Sequence, residues 1–372
     1  MKIILISFSL LFTQVTLATP VIGKATKVRG KVTLLNVGER DARVVKAGTP
    51  IRKDTSILTE KKSFVQITLF DKSKIILGPD SKMIIDKVPK QDTGIVNLMK
   101  GKVRSEVKKA ATKNKDKLYI RTQTAAIGVR GTDFQTVYNP QNNITSLLTF
   151  EGEVAMAKTE KTKNLMDNEI LKRELAKENV TKVKNGRYAS VTKNLEKTTK
   201  PIKISPVQYT RLKLNKELLE DKKINEKVFE KELKKTVKEY AAISKEEKKE
   251  NIVAKREYDV NNKSYRPTAG GVLDLETGLY IPPTIDDKKF NKELNIYELD
   301  TKKGSITSSG SYIPPKGIKL DAIKGFVGDG KKEEVSKLNR EIQGQLVKPK
   351  KPTLDDLNSD GEDSYDKYFI IE

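Results

Sequence analysis

Short runs of β-branched and aromatic residues, separated by turn residues, characterise the chain from residue 21 to about residue 195. Over residues 63–70 apolar and polar positions alternate, so that Val65, Ile67 and Leu69 share one face. Because side chains alternate between the two faces of a strand, this pattern predicts a strand with one buried face. Comparable runs, bounded by Gly, Asp and Asn, occur at residues 28–35, 74–77, 83–85, 95–99, 118–122 and 147–156. Residues 21–195 are therefore predicted to form a multi-stranded β-domain.

One local pattern recurs three times in this domain: an apolar residue, a charged residue, Gly, a second charged residue and Val. The copies occupy residues 28–32, 99–103 and 150–154. An isolated Gly inside a strand pattern marks a bulge, a bend or a close backbone approach, and we expect this at Gly30, Gly101 and Gly152. Because the copies are unequally spaced, they do not indicate an array of fixed period.

Helical patterns interrupt and then follow the predicted β-domain. A helical insertion is predicted near residues 164–177, and a helical segment over residues 205–257. Ser205, Pro206 and Gln208 have the spacing of a capping-box helix start. Downstream, an apolar stripe predicts an amphipathic helix that packs on the β-domain or on a partner, and a solvated charged helix is the alternative for its ends. The stripe consists of Ile224, Val228, Leu233, Val237, Tyr240 and Ala241.

Residues 258–345 are predicted to be loop-rich and contain an internal duplication. Two units begin with Gly271 and Gly304, and both end in Tyr-Ile-Pro-Pro, with the tyrosines at positions 280 and 312. Paired prolines impose an extended backbone, so we expect the units to clip onto the β-domain or to act as recognition segments. Residues 346–372 are predicted to be a flexible tail. Residues 356–361 match the start of a calcium loop, but Lys367 occupies the position of its bidentate glutamate.

The first residues have the pattern of a secretion signal. Lys2 precedes an apolar run over residues 3–17 that hydroxyl residues interrupt, and small residues lead to Ala18. We therefore predict a signal peptide over residues 1–18, in preference to a membrane anchor, because a span needs about 20 apolar residues. No later stretch approaches that length. The expected location is periplasmic or secreted, and the lack of Cys excludes a lipid-modified cysteine.

The composition restricts the chemistry. Without Cys, His or Trp, thiol nucleophiles, Ser-His-Asp triads and the usual zinc sites are excluded. No signature of a Ser-Lys dyad or a carboxylate pair is present, so we predict no enzyme, no cofactor and no metal site. The formal net charge is +23, and most of the basic residues are lysines. The expected partner is an unknown envelope protein or an anionic glycan such as lipopolysaccharide, with solvated lysines as the alternative. Nucleic acid is disfavoured because phosphate readers favour Arg.

The sharpest motif is Thr-Ala-Ala-Ile-Gly-Val-Arg-Gly-Thr-Asp-Phe at residues 124–134. Its glycines do not precede a Gly-Lys-Ser/Thr sequence and no βαβ pattern surrounds them, which argues against a phosphate loop. A tight strand-turn-strand is the preferred interpretation. The candidate site residues of this motif are expected to have a structural role in preference to ligand contact; they are Thr124, Gly128, Arg130, Gly131, Thr132, Asp133 and Phe134.

This motif resembles the most characteristic stretch of FecR-domain proteins, and matching segments precede and follow it in order. The resemblance covers residues 30–155 and extends more loosely to residue 195. It implies a mainly β fold: a periplasmic multi-stranded β-domain, solenoid- or sandwich-like. Here an amphipathic helical segment and a loop-rich region are predicted to follow it.

In the founding members of that family the domain receives a signal from an outer-membrane receptor, and a cytoplasmic part controls a sigma factor. This chain departs from that plan, since neither a cytoplasmic N-terminal domain nor an internal membrane span is expected. The expected function is therefore an exported, non-enzymatic binding or scaffold protein of the bacterial cell envelope. A component of envelope signal transduction that acts through a separate membrane regulator is the first alternative, and an envelope-polymer hydrolase is the second.

Overall fold

A computed structural model describes residues 19–87, 94–108, 118–159, 168–177, 180–329 and 332–346, and β-strands dominate it as predicted. The predicted signal peptide lies outside the described residues, as do residues 347–372 with the calcium-loop pattern. Within the described part, sixteen strands are hydrogen-bonded in one network. They are β1 Val21–Arg29, β2 Val32–Leu35, β3 Arg43–Val44, β4 Pro50–Arg52, β5 Thr55–Thr59, β6 Phe64–Leu69, β7 Lys74–Leu77, β8 Lys82–Lys87, β9 Gly94–Glu106, β10 Leu118–Arg121, β11 Ala125–Val129, β12 Asp133–Asn139, β13 Ile144–Glu151, β14 Glu153–Lys158, β15 Thr181–Lys184 and β16 Tyr188–Val191.

The long strand β9 belongs to two sheets. Its second half lies between β7 and β12 in the first sheet, whose strand order is β4-β1-β6-β7-β9-β12-β13-β16. Its first half lies between β8 and β10 in the second sheet, ordered β3-β2-β5-β8-β9-β10-β11-β14-β15. The pair β9–β10 is parallel, and the other pairs are antiparallel. The arrangement is a sandwich whose sheets are joined by shared or crossing strands.

One apolar cluster fills the space between the two sheets. Val65 and Ile67 from the first sheet and Ile57 and Met83 from the second are fully buried in it. The alternation predicted for residues 63–70 is confirmed over residues 65–69, because Val65, Ile67 and Leu69 are buried, whereas Gln66 and Thr68 are partly exposed. Phe64, on the opposite face, is also buried, in a cluster with residues that follow the β-domain. Packing between two sheets therefore holds this part of the fold together.

The three glycines of the recurring pattern lie at the corners where the chain passes from one sheet to the other. Gly30 separates β1 from β2, Gly152 separates β13 from β14, and Gly101 lies inside β9. All three have positive φ, and at Gly101 a Cβ would lie 2.1 Å from the Oγ atom of Ser81. The runs 28–35 and 147–156, each predicted as a single strand, are therefore two strands apiece, because the corner changes the sheet in which the chain pairs.

Helices within the described residues are α1 Asn168–Ala176, α2 Pro206–Leu214, α3 Glu226–Lys249 and α4 Lys332–Ile342. The predicted capping box at α2 is wrong: the Ser205 side chain makes no capping hydrogen bond, and the amide of Gln208 bonds to the backbone at Leu273 and Gly310. Because the Gln208 side chain is buried, its amide needs hydrogen-bond partners within the protein, and neighbouring backbone groups provide them.

The stripe predicted for α3 is also partly wrong. The helix begins at Glu226, so Ile224 precedes it, and the Val228 side chain is 51% exposed. The buried face carries Phe229, Thr236, Tyr240, Ile243, Ser244 and Glu247. Half of these residues are polar, so an apolar stripe could not identify the face.

Residues 257–328 form five small hairpins joined by loops and two short 3₁₀ turns; all but residue 257, the last of the predicted helical segment, lie in the region predicted as loop-rich. Most of their strands are only two or three residues long, too short for alternation to be visible in the sequence. The strands are β17 Glu257–Asp259, β18 Ser264–Arg266, β19 Val272–Leu273, β20 Tyr280–Ile281, β21 Phe290–Asn291, β22 Ile296–Tyr297, β23 Ser305–Ile306, β24 Tyr312–Ile313, β25 Ile318–Asp321 and β26 Gly325–Gly328, and the turns are Asp287–Lys289 and Thr301–Lys303.

The two Tyr-Ile-Pro-Pro units are equivalent hairpins, β19–β20 and β23–β24. In each, the tyrosine ring lies against the glycine that begins the unit: Tyr280 on Gly271 and Tyr312 on Gly304. Each hydroxyl donates to a backbone carbonyl just upstream. The first unit lies on the β-domain, where the Tyr280 and Tyr188 rings stack with centroids 5.2 Å apart. Both tyrosines thus anchor their hairpins inside the protein.

Candidate functional site

The family-motif residues surround a corner between β11 and β12. Gly128 lies within β11, where it is opposite Tyr119 and Ala155 of the neighbouring strands. Gly131 has a φ of 111°, a conformation that favours glycine, and lets the chain leave the second sheet for the first. Thr132 follows it and contacts Gly152 of the neighbouring corner. The motif therefore forms a joint between sheets.

The remaining motif residues differ in exposure. The Thr124 hydroxyl lies 2.7 Å from the Thr145 hydroxyl, and both are buried. Phe134 is fully buried in the cluster between the sheets, whereas Arg130 is exposed. The structural role expected for the motif stays a prediction, supported by the contacts of Thr124 and Phe134.

Asp133 takes part in a contact that joins the β-domain to the following helix. Its two carboxylate oxygens accept hydrogen bonds from Arg104 at 2.8 and 2.7 Å. The same guanidinium donates to the carbonyls of Leu212 and Lys213 in α2, and it lies 4.2 Å from the centroid of the Phe150 ring. The Arg104 side chain is fully buried. Asp133 therefore orients an arginine that ties α2 to β9.

Sequence reasoning did not identify Arg104. It lies in a strand close to Lys102 and Glu106, and in that sequence context a charged side chain is expected to be exposed to solvent. The available signal was the recurring Gly-charge-Val pattern, which placed a bend just before it, at Gly101. The burial of Arg104 depends on α2, which is distant in sequence.

Gln208 and Tyr209 of α2 extend this junction. The Tyr209 hydroxyl donates to the Phe150 carbonyl, and Gln208 binds backbone groups of both Tyr-Ile-Pro-Pro hairpins. Burial raises the pKa of Tyr209 well above its usual value. The helix thus contacts the β-domain on one side and the hairpins on the other.

A lysine and a serine meet in the buried region between α3 and the β-domain. Lys203 donates to the Ser244 hydroxyl at 2.9 Å and also to Glu247. Burial lowers the pKa of Lys203, and the Glu247 carboxylate opposes that shift. The Ser244 hydroxyl itself donates to the Tyr240 carbonyl, and neither Lys203 nor Ser244 is exposed by more than 1%. A substrate has no access to this pair.

The exposed side of α3 carries a row of lysines, here called the lysine face: Lys227, Lys231, Lys234 and Lys238. Their spacing places them on one side of the helix. No carboxylate of the described residues forms an ion pair with any of the four, although Glu230 lies among them. The nearby Lys235, by contrast, is paired with Glu232. The lysine face is therefore an exposed cationic surface whose four ammonium groups form no ion pair with a described carboxylate.

Among the described residues, no cluster of acidic side chains has the arrangement of a metal site. No described helix is both long enough and apolar enough to cross a membrane.

Comparison with known proteins gives one match by family. Residues 55–155 match the FecR protein family model. None of the curated proteins matches this chain in sequence.

Solved structures give weaker similarities. Two crystal structures of a candidate anti-sigma factor from Parabacteroides distasonis ATCC 8503 share 16% and 17% identity, with TM-scores of 0.30 and 0.29. Each match covers 39% of this chain and 59% of the other, less than two thirds of its length. A cell surface anchoring domain shares 33% identity over 17% of this chain and 82% of its own, with a TM-score of 0.16.

At such TM-scores the solved structures do not define the fold, and the family match rests on sequence. That match includes the motif at residues 124–134, the corner at Gly101 and the arginine that binds α2. The similarity to the FecR protein family is therefore a match over residues 55–155 of this chain.

Proposed function

We propose that this chain is an exported, non-enzymatic binding protein of the bacterial cell envelope, and that its partner is an anionic envelope glycan. In this proposal the FecR domain is a scaffold that holds α2, α3 and the hairpins in fixed positions. The junction at Arg104 supports that role, because it ties the domain to α2 through a buried, charge-assisted contact.

The observation that carries the binding role is the lysine face. Four cations in a row on one helix repel one another, and the single carboxylate among them, Glu230, forms no ion pair with any of the four and cannot balance their charge. A polyanion would do so, because its charges approach several lysines at once. Phosphorylated lipopolysaccharide and acidic glycans have this character. The lysine face is the exposed side of α3, so such polymers can reach it directly.

Export is supported by the sequence of residues 1–18, which has the charged start, apolar core and small-residue exit of a signal peptide. We place the protein in the periplasm or outside the cell. Fractionation of cells that express the chain tests this placement, and a chain found only in the cytoplasm would contradict it.

Co-sedimentation with lipopolysaccharide vesicles tests the binding role. The test variant replaces Lys227, Lys231, Lys234 and Lys238 by Gln. The control variant replaces four other exposed lysines without ion pairs to described residues, Lys24, Lys61, Lys82 and Lys100, so that both variants lose the same charge. Since each lysine near an anionic lipid surface contributes about 1 kcal/mol, the test variant should lose roughly two to three orders of magnitude in affinity.

The comparison of the two variants decides the outcome. If both lose affinity equally, the attraction is due to net charge alone and the lysine face is not a site. Binding of the unaltered chain should also weaken at high salt, because exposed charges are then screened.

A role in envelope signal transduction is the second candidate, and the FecR match over residues 55–155 favours it. In this role the chain would act through a separate membrane protein. Cross-linking in intact cells followed by mass spectrometry should then recover a membrane regulator or receptor. Recovery of glycan alone would count against it.

An envelope-polymer hydrolase is disfavoured. The described Ser-Lys contact, Ser244 with Lys203, is buried and occupied by hydrogen bonds. We expect no turnover of peptidoglycan or polysaccharide by the purified chain. Turnover that a single substitution abolishes would reverse this conclusion.

A further inference from the structure

A cavity of about 480 Å³ lies where the first Tyr-Ile-Pro-Pro unit meets α4 and the loop after β16. Its walls are largely apolar and include Leu195, Tyr265, Pro282, Pro283 and Ile285. A volume of this order suits a small organic molecule. It lies apart from the lysine face, with which it shares no lining residue.

Polar contacts fix the elements that form the wall of the cavity. Gln345 bonds to both backbone groups of Tyr280, at 2.9 and 2.8 Å, which fixes α4 and its following turn against β20. Lys303 donates to the Pro282 carbonyl and pairs with Glu341. The one carboxylate in the lining is therefore already neutralised.

Two guanidinium groups at the mouth are not neutralised. Arg256 and Arg340 line the cavity, and no described carboxylate forms an ion pair with either. Arg256 lies 4.4 Å from the centroid of the Tyr265 ring, which positions it without removing its charge. An apolar chamber with two available arginines at its entrance is complementary to a molecule with an apolar body and one anionic group.

We propose that this cavity binds a small amphipathic organic anion, with its apolar body between Tyr265, Pro283 and Ile285 and its anionic group at Arg256 and Arg340. This inference goes beyond the proposed glycan-binding function and concerns a different surface. Either can fail without the other.

Calorimetric titration of the purified full chain tests the proposal with decanoate as the probe, and with decyltrimethylammonium as a probe of similar apolar length and opposite charge. We expect decanoate to bind at one site and decyltrimethylammonium to bind at least tenfold more weakly. Arg256→Gln and Arg340→Gln should each weaken decanoate about tenfold, as expected for the loss of a hydrogen bond to a charged group. Arg40→Gln, at an exposed arginine far along the chain, is the matched control and should leave binding unchanged.

A second variant fills the cavity itself. Gly344 lines the cavity, and a Cβ there would have Arg256 Nη2 as its nearest neighbour, at the ordinary contact distance of 3.6 Å, so Gly344→Phe can place a ring in the cavity beside Arg256. It should abolish decanoate binding while the unfolding transition stays in place. Equal binding of both probes, decanoate binding that survives Gly344→Phe, or arginine variants that bind like Arg40→Gln would overturn the proposal.

Discussion

The β-domain and the region after residue 200 provide hydrogen-bond partners for their buried backbone groups in different ways. In the β-domain, hydrogen bonds between long strands pair the backbone N–H and C=O groups. The core cluster of this domain is almost wholly aliphatic. In the following region each hairpin has only a few ladder bonds of its own, and its core includes Tyr209, Tyr240, Tyr280 and Tyr297. Side chains in this region provide the backbone hydrogen bonds that neighbouring strands provide in the sandwich, because buried backbone groups need partners wherever they lie.

The difference has a consequence for sequence changes. A sandwich tolerates many substitutions on its outer face but depends on the corners where strands change sheets. The hairpin region depends on single side chains, such as Gln208 and Tyr280, that bond to the backbone of other segments. Arg104 lies where the two regions meet.

The largest effect is expected at that junction. Arg104→Ala leaves Asp133 without its partner and removes a donor from two carbonyls of α2. Breaking a buried ion pair by removal of one partner costs about 3–5 kcal/mol, and urea unfolding should show this loss. The matched control is Arg29→Gln, which breaks an exposed two-bond contact with Asp221 and should cost about 0–1 kcal/mol.

Limited proteolysis would sharpen the same comparison. If Arg104 ties the regions together, its variant should be cut within residues 195–225 before the β-domain unfolds. Equal stability of the two variants would mean that apolar contacts alone hold α2 in place.

A somewhat smaller effect is expected at a corner of the sandwich. At Gly101→Ala the new Cβ would meet Ser81 while the residue keeps a φ of 92°. The left-handed conformation costs about 1–2 kcal/mol and the overlap a further 1–3 kcal/mol or so. Gly38→Ala has a similar φ of 82° but open space around it, so it isolates the conformational part. Equal melting temperatures for the two variants would show that the corner can relax.

The smallest effect is expected at a hairpin anchor. Tyr280→Phe removes a hydroxyl that donates to the Thr268 carbonyl at 2.6 Å and accepts from the Gly271 amide at 2.8 Å. Buried groups left without a partner cost about 1–3 kcal/mol. Tyr312→Phe, which loses one described hydrogen bond, should cost less. Tyr258→Phe, at a tyrosine that is 48% exposed, should change the unfolding free energy by under about 0.5 kcal/mol. A hairpin region that tolerates all three equally would not depend on its side-chain bonds.

Prediction from sequence succeeded where the structure depends on residues that are neighbours in the chain. Period-two alternation identified β6, and the repeated Gly-charge-Val pattern identified the corners, because both depend on local backbone geometry. The stripe on α3 failed at Ile224, which precedes the helix, and at Val228, which is exposed, because burial there depends on which surfaces the helix contacts. The capping box failed for the same reason, since Gln208 found partners 65 and 102 residues away.

The candidate sites also differ in whether they depend on local patterns or on contacts between distant segments. The family motif at residues 124–134 could be identified in the sequence, whereas Arg104 and the cavity beside Tyr280 could not. By itself the sequence determined a β-rich domain with a match to the FecR family, since alternation, turn residues and motif spacing are properties of neighbouring positions. Tertiary structure alone decided which charges are buried, which lysines stay unpaired and where an apolar cavity opens beside two arginines. Those properties depend on distances between segments far apart in the chain, and no local pattern encodes such distances.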